Sequence, residues 1–270
     1  DVNNDKSPDL LLVGEWMKPT VYLNRNGKWR EGSEVSQALG HSLAYALAKA
    51  DLDNDGDDDF VLGNMGLNTQ YHLTSGDQLK MYSKDFSGNG VMLPVLAVTE
   101  NGKTYPYASR DELLDQIPAL KKKYSNYVSY AKADLSEILG NDLLKSSTLH
   151  QADELRTGIL WNEQGKLIFK PLPIEAQYAP VYAVEVLDMD KDGKKDLILG
   201  GNVTRTRVRL GKADANKGQV FLGIGKQNFQ GLGRNKSGLC VEGEARSVLS
   251  VGPYLLFGIN HQKVQTYRLP

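Results

Sequence analysis

Four short stretches of the chain carry oxygen-bearing side chains at a spacing that suits a hard cation. They begin at Asp1 (DVNNDKSPDLLL), Asp51 (DLDNDGDDDFVL), Asp85 (DFSGNGVMLPVL) and Asp188 (DMDKDGKKDLIL). Each offers an oxygen-bearing side chain at positions 1, 3 and 5 of a tight turn, and three carry Asp at position 9: Asp9, Asp59 and Asp196. Calcium takes roughly six to eight oxygens at about 2.3–2.6 Å, mixing carboxylates, a backbone carbonyl and water. Side chains at positions 1, 3 and 5 converge inside such a turn, and position 7 offers its carbonyl. The second stretch places six aspartates between Asp51 and Asp59, and carboxylates this close repel one another unless a positive charge sits among them.

The candidate ligands follow from these positions. In the second loop they are Asp51, Asp53, Asp55 and Asp59, with Asp57 at the carbonyl position. In the last loop they are Asp188, Asp190, Asp192 and Asp196, with Lys194 at the carbonyl position. The first loop offers Asp1, Asn3, Asp5 and Asp9. The loop from Asp85 keeps Asp85 and Asn89 but has Ser87 and Leu93 at positions 3 and 9, so it reads as a turn that retained its shape. The expectation is two calcium sites, with up to four. The competing reading is an Asx-rich turn that hydrogen-bonds to itself. Position 12 separates these loops from EF-hands, which need a bidentate Glu there and a following helix. Here it is Leu12, Leu62, Leu96 and Leu199, each within an apolar run suited to a strand.

The elements that must hold these loops are strands. VYLNRNGKWREG (Val21 to Gly32) reads as a hairpin on an Asn-Gly turn. SLAYALAKAD, QLKMYSKD and YAVEVLDMD each run directly into an acidic loop, so each loop should join two neighbouring strands. Further strands are expected at GILWNE, KLIFKPL, GQVFLGIG, SVLSVG, YLLFGIN and KVQTYRL. Residues 109–150 break the pattern: Ser109 and Glu112 form a capping box, and Leu113, Leu114, Ile117 and Leu120 recur at helical spacing. Subtracting that insertion, about 45 residues, restores a repeat of about 50–60, the size of one blade of a β-propeller. The chain is therefore expected to be all-β: one propeller domain over 1–270, about five blades in this stretch and belonging to a larger ring if the chain is a piece, with a helical insertion over 109–150. Because the chain opens inside the first motif, it reads as a piece of a longer protein.

Composition narrows the function classes. A chain of 270 residues with net charge -1 and 24% charged residues is that of a folded protein without the basic bias of a nucleic-acid binder. No apolar run approaches the length of a membrane-spanning helix. His41, His72, His150 and His261 are scattered without ligand spacing, and Cys240 has no partner base in view and reads as a buried structural thiol. RTRVRL places Arg205, Arg207 and Arg209 on one side of an expected strand, a basic stripe that fits a carboxylate or sulfate.

The segments DLDNDGDDDFVLGN and DMDKDGKKDLILGGN resemble the FG-GAP or VCBS repeats of integrin-α-type β-propellers. The wider pattern in VLGNMGLNTQY, GKTYPYASRDELLDQIPALKKKYSNYVSYAKADL and LPIEAQYAPVYAVEVLDMDKDGKKDLILGGN resembles long repeat proteins of Bacteroidetes similar to the cartilage acidic protein group. The resemblance implies a propeller, calcium in the loops at Asp51 and Asp188, and an extracellular or outer-membrane surface location. It implies no particular reaction. The reading that follows is a non-catalytic calcium-binding module that meets a glycan or protein ligand at the cell surface. The alternatives are part of a glycan lyase or hydrolase, or a pure scaffold in a multidomain surface protein.

Overall fold

The computed structural model describes residues 1–32, 39–71, 73 and 77–269. The chain divides into two compact units, Asp1–Gln70 with Glu154–Pro270, and Tyr71–Asp153.

In the first unit the strands run β1 (Leu10–Leu12), β2 (Glu15–Met17), β3 (Thr20–Arg25), β4 (Lys28–Glu31), β5 (Ser42–Leu43), β6 (Ala46–Ala50) and β7 (Asp59–Gly63). The second unit contributes β8 (Leu79–Lys84), β9 (Leu93–Glu100), β10 (Lys103–Pro106) and β11 (Thr148–Ala152). It also holds helices α1 (Arg110–Gln116), α2 (Tyr127–Lys132), α3 (Leu135–Leu139) and α4 (Asn141–Lys145). Back in the first unit follow β12 (Gly158–Glu163), β13 (Lys166–Pro171), β14 (Val181–Leu187), β15 (Asp196–Gly201), β16 (Gln219–Gly225), β17 (Asn228–Leu232), β18 (Ala245–Val251), β19 (Tyr254–Ile259) and β20 (Gln265–Arg268).

These strands form antiparallel sheets in the orders β1-β3-β4, β6-β7-β12-β13, β14-β15-β16-β17 and β18-β19-β20, with a small β2-β5 pair. The protein is mostly β, as its alternating patterns indicate. The Asn26-Gly27 hairpin forms as expected, with both residues at positive φ (56° and 78°) and Arg25 opposite Lys28, the geometry of a type I′ turn. The loops at Asp51 and Asp188 join β6 to β7 and β14 to β15, neighbours in their sheets.

Side-chain alternation packs the sheets of this unit face to face in chain order. On β7, Phe60 and Leu62 join Val21 and Leu23 of the first sheet, whereas Val61 points the other way to Leu197, Leu199 and Phe221 of the third. Ile198 and Val220 leave the opposite face of the third sheet for Val248, Leu255 and Phe257 of the last. A strand covered on both faces has no polar side, which is why DFVLG and DLILGG are buried at every residue.

In the second unit the sheet is β10-β9-β8-β11, and its apolar face packs on helices instead of a sheet. Phe86, Val95 and Ala97 meet Leu113, Leu114, Ile117, Leu135 and Ile138 in one core. The sheet that carries the Asp85 loop, expected as another blade, therefore belongs to a separate unit. The expected helical stretch over 109–150 lies inside that unit. It breaks into short helices because Pro118 disfavours helix at Ile117 and Asn126 and Asp134 start new ones as N-caps. The capping box of Ser109 and Glu112 is present, and a second one joins Asp134 to Glu137.

Close backbone approach fixes how the third sheet begins. A Cβ on Gly201 would stand 1.7 Å from the Pro180 carbonyl oxygen, a contact the backbone must relieve by moving. We expect Gly201→Ala to lower stability by about 1–3 kcal/mol, measured by urea unfolding. A variant indistinguishable from wild type would show that β14 and β15 can part here without loss.

Candidate metal centre

The three loops that have Asp at position 9 share one hydrogen-bond scheme. The position-9 carboxylate accepts from the amide of position 2 of its own loop and from an amide of the strand paired with the one that follows the loop. These donors are Val2 (2.8 Å) and Asn24 (2.9 Å) for Asp9, Leu52 (3.1 Å) and Asn162 (2.9 Å) for Asp59, and Met189 (2.8 Å) and Gly223 (2.9 Å) for Asp196. The position-1 carboxylate takes the amides of positions 5 and 6, as Asp51 does from Asp55 (3.2 Å) and Gly56 (3.1 Å). Asp1 and Asp188 do the same in their loops. Position 5 turns to cap position 7: Asp5 accepts from Ser7, Asp55 from Asp57 and Asp192 from Lys194.

The result gathers positions 1, 3 and 9. Ligand atoms of Asp51, Asp53 and Asp59 lie within 4.8 Å of one another, as do those of Asp188, Asp190 and Asp196. One oxygen of each of Asp55 and Asp192, also expected among the ligands, caps the turn, and the Lys194 ammonium pairs with Asp192. The first loop brings only two carboxylates to positions 1, 3 and 9, because Asn3 stands at position 3. In the loop from Asp85, one carboxylate accepts from the amides of Ser87, Gly88, Asn89 and Gly90, and Asn89 accepts from Val91. The amide of Gly90 leads in holding the Asp85 carboxyl below its ordinary range. The turn survives there without an acidic partner.

Electrostatics distinguishes the loop at Asp51. Burial pushes Asp59, 1% exposed, up to about 7, against the two amides that lower it. Burial likewise carries Asp57 up to about 6, with Asp55 adding repulsion, and raises Asp196. Asp53 Oδ1 and Asp57 Oδ1 are buried with no hydrogen-bond partner. The other Asp53 oxygen accepts from Gln227 Nε2 at 3.0 Å, and the same Gln227 reaches Glu163 at 2.7 Å. Beside Asp53 opens a pocket of about 190 Å³ lined in part by Trp161, Lys194, Gln227 and Phe229, room for water at the site. A buried carboxylate oxygen without a donor, inside a set made wholly of oxygens, fits a hard cation and not a thiophilic or imidazole-loving metal. Gln227, 174 residues from Asp53, carries no local sequence signal.

Histidine takes no part: His41, His150 and His261 join neither carboxylate cluster among the described residues, and His72 lies outside them. Cys240 is exposed, not buried as its sequence context suggested.

The stretch from Arg205 to Arg209 is a loop and not the expected strand. Val203 and Ala213 close it with two 2.8 Å backbone bonds, and Val208–Leu210 form a 3-10 turn. The amides that a sheet would use are turned elsewhere: Glu244 Oε1 accepts from Thr204 N (2.6 Å), Thr204 Oγ1 (2.8 Å) and Arg205 N (3.2 Å). Its other oxygen accepts from Arg246 (3.0 Å) and Asn260 (3.1 Å).

Residues 1–62 match the sequence profile of the FG-GAP-like repeat, a span that takes in the first acidic loop and the whole loop at Asp51. Comparison with curated proteins and with solved structures returns no match.

Glu244 sets an acid limit on this region. The Thr204 amide foremost, with Asn260, holds its carboxyl down to about 2 from an ordinary 4.5. A carboxyl lowered by folding stabilises the fold above its unfolded value and loses that contribution as pH falls from about 4.5 towards 2. We expect Glu244→Gln to reduce stability at neutral pH by on the order of 2 kcal/mol and to flatten this part of the acid profile. Denaturant unfolding at pH 7 and pH 3 reads both effects, and an unchanged pH dependence in the variant would refute the assignment.

Proposed function

We propose that the chain is a non-catalytic calcium-binding module built on a β-propeller, acting at the cell surface or outside the cell by presenting its loops to a glycan or protein ligand. The observation that carries the metal reading is the buried, partnerless Asp53 Oδ1 inside a triad of carboxylates whose arrangement recurs at Asp188, Asp190 and Asp196. The FG-GAP-like profile over residues 1–62 supports it, as does the way successive sheets stack in chain order through alternating side chains, the packing of neighbouring blades.

In this reading calcium is structural. Positions 1, 3 and 9 would hold it: Asp51, Asp53 and Asp59 in one loop, Asp188, Asp190 and Asp196 in the other. The ion supplies the positive charge that lets these carboxylates stay ionised while buried. Calcium suits the set better than magnesium, which demands near-octahedral geometry and gives up its water reluctantly.

Chelator-treated protein titrated with calcium and with magnesium tests the reading. A ligand that binds only the folded state at 100 times its Kd adds about 2.7 kcal/mol per site, so we expect calcium to raise Tm by about 5 °C or more. Magnesium should do less, and Asp53→Ala/Asp190→Ala should not respond. A melting curve indifferent to calcium would mean self-bonded acidic turns. Because Gln227 orients Asp53, Gln227→Ala should weaken calcium binding at the Asp51 loop and leave the Asp188 loop unchanged. Isothermal titration against an Asp190→Ala background resolves that one site.

A further inference from the structure

The β16–β17 half of the third sheet carries a pocket of about 380 Å³ that the metal reading does not use. Its floor is apolar, with Val220 and Phe221 each 1% exposed. Around it stand Glu175, Lys217 and Arg234, with Tyr178, which is 42% exposed. Among the described residues these four side chains have neither a hydrogen bond nor an ion pair. Two cations against one carboxylate leave a positive charge over. The backbone that carries these groups is fixed in advance. Glu175 lies in the 3-10 turn Ile174–Gln177, and Tyr178 follows it. The buried Gln177 holds that turn by accepting from Thr157 N (2.8 Å) and donating to the carbonyls of Thr157 (2.9 Å) and Leu172 (3.1 Å). Gln219 on β16 donates to the Glu175 carbonyl, and Asn68 to the Tyr178 carbonyl at 2.9 Å. The Lys217 carbonyl is held by Val241 N at 2.8 Å. One residue keeps the floor open. A Cβ on Gly231 would stand 3.5 Å from the Glu175 carboxyl carbon and 3.6 Å from the Phe221 ring, both ordinary contacts. The strand could bear a side chain there and has none.

We propose that this pocket is a glycan subsite of the module and that it takes a hexuronate, a sugar ring bearing one carboxylate. The proposal rests on the binding-module reading above but not on calcium. A sugar ring has a C–H face that lies against an aromatic ring and an apolar floor, here Tyr178 and Phe221. Its hydroxyl edge donates to a carboxylate, here Glu175. Its one acid group meets Arg234, whose planar fork takes two carboxylate oxygens at once, and Lys217 as a point charge. A neutral sugar would leave both cations without a counter-charge. A basic peptide side chain would suit Glu175 and be repelled by the other two. Small-molecule sites run from about 300 to 1,000 Å³, so this pocket is at the small end, suited to one ring with its substituents. A wall ordered before binding lowers what binding must otherwise order.

The test is isothermal titration of the full chain in saturating calcium with trimers of galacturonate, glucuronate and mannuronate. Each is run beside its methyl ester, which keeps the rings and hydroxyls and removes the charge. At least one trimer should bind, at least about tenfold more tightly than its ester. Lys217→Gln/Arg234→Gln should abolish that preference. Lys122→Gln/Lys132→Gln, which removes two exposed cations of the other unit, should keep it. Gly231→Val changes no charge and fills the floor, so it should lose at least about tenfold in affinity for acid and ester alike. Melting curves establish that each variant is folded, and the exposed Lys217 and Arg234 can be changed even if Gly231→Val proves unstable. The proposal falls if no trimer binds, if acid and ester bind equally, or if the Lys217/Arg234 variant keeps the preference. It falls equally if folded Gly231→Val binds as wild type does. A chain that responds to calcium but binds no trimer would overturn this assignment and leave the metal reading intact. Trimer binding that is lost in the pocket variants, in a chain indifferent to calcium, would sink the metal reading and leave this one standing.

Discussion

The carboxylate at position 9 of each acidic loop is the contact on which the first unit's loop geometry depends. Asp9, Asp59 and Asp196 each clamp two amides that are distant in sequence, one at the start of their own loop and one on the strand paired with the one that follows that loop. That double acceptance ties the turn to the sheet end and aims positions 1 and 3 at the same point. The tie is made by a group that resists being buried as an anion. Asp59 and Asp196 are both raised by burial, Asp59 to about 7. The device that shapes the loop therefore also loads it electrostatically. In the Asp85 loop, where Leu93 replaces that carboxylate, the turn keeps its local bonds and gathers no acidic cluster.

Glu244 uses the same device with the opposite balance. It too is nearly buried and accepts two backbone amides, those of Thr204 and Arg205, yet its carboxyl is held down to about 2. The difference lies in which effect wins. At Asp59 burial outweighs the two amides, with Asp53 and Asp57 adding repulsion, whereas at Glu244 the Thr204 amide, followed by Asn260 and the Thr204 hydroxyl, outweighs burial.

What was legible in the sequence is what short-range physics decides. The strands flanking each loop, the Asn26-Gly27 turn and the Ser109–Glu112 capping box depend on residues a few positions apart. So does the repeated placement of aspartates. Long-range geometry was not legible. The strands of the second unit alternate as the others do, and nothing local says that Phe86, Val95 and Ala97 will meet helices and not a sheet. RTRVRL has the residue alternation of a strand, but Glu244, some 40 residues on, draws its first amides away. The position-5 aspartates look equivalent to the others in spacing, yet one oxygen of each caps position 7 of its own turn.

The hairpins show where the first unit accepts strain. Two-residue turns at Asn26-Gly27 and Gln164-Gly165 put glycine second, where positive φ is easy. The turn between β16 and β17 has Lys226 and Gln227 instead, at φ 53° and 58°, directly after Gly225 at 79°. Two side chains in the left-handed region cost of order 1–3 kcal/mol each, so something must hold them. Gln227 is held by Asp53, Glu163 and Lys170, all on the neighbouring sheet or its acidic loop. The first acidic loop meets the β12–β13 hairpin of the second sheet in the same way, with Asn162 donating to the Val2 carbonyl at 3.0 Å and Gly165 against Asn3. The loops at Asp1 and Asp51 are thus each seated on the hairpin of the next sheet. Where the seat is the glycine turn the contact is backbone packing, and where it is Lys226-Gln227 the strained residue delivers its amide to Asp53, whose other oxygen has no partner.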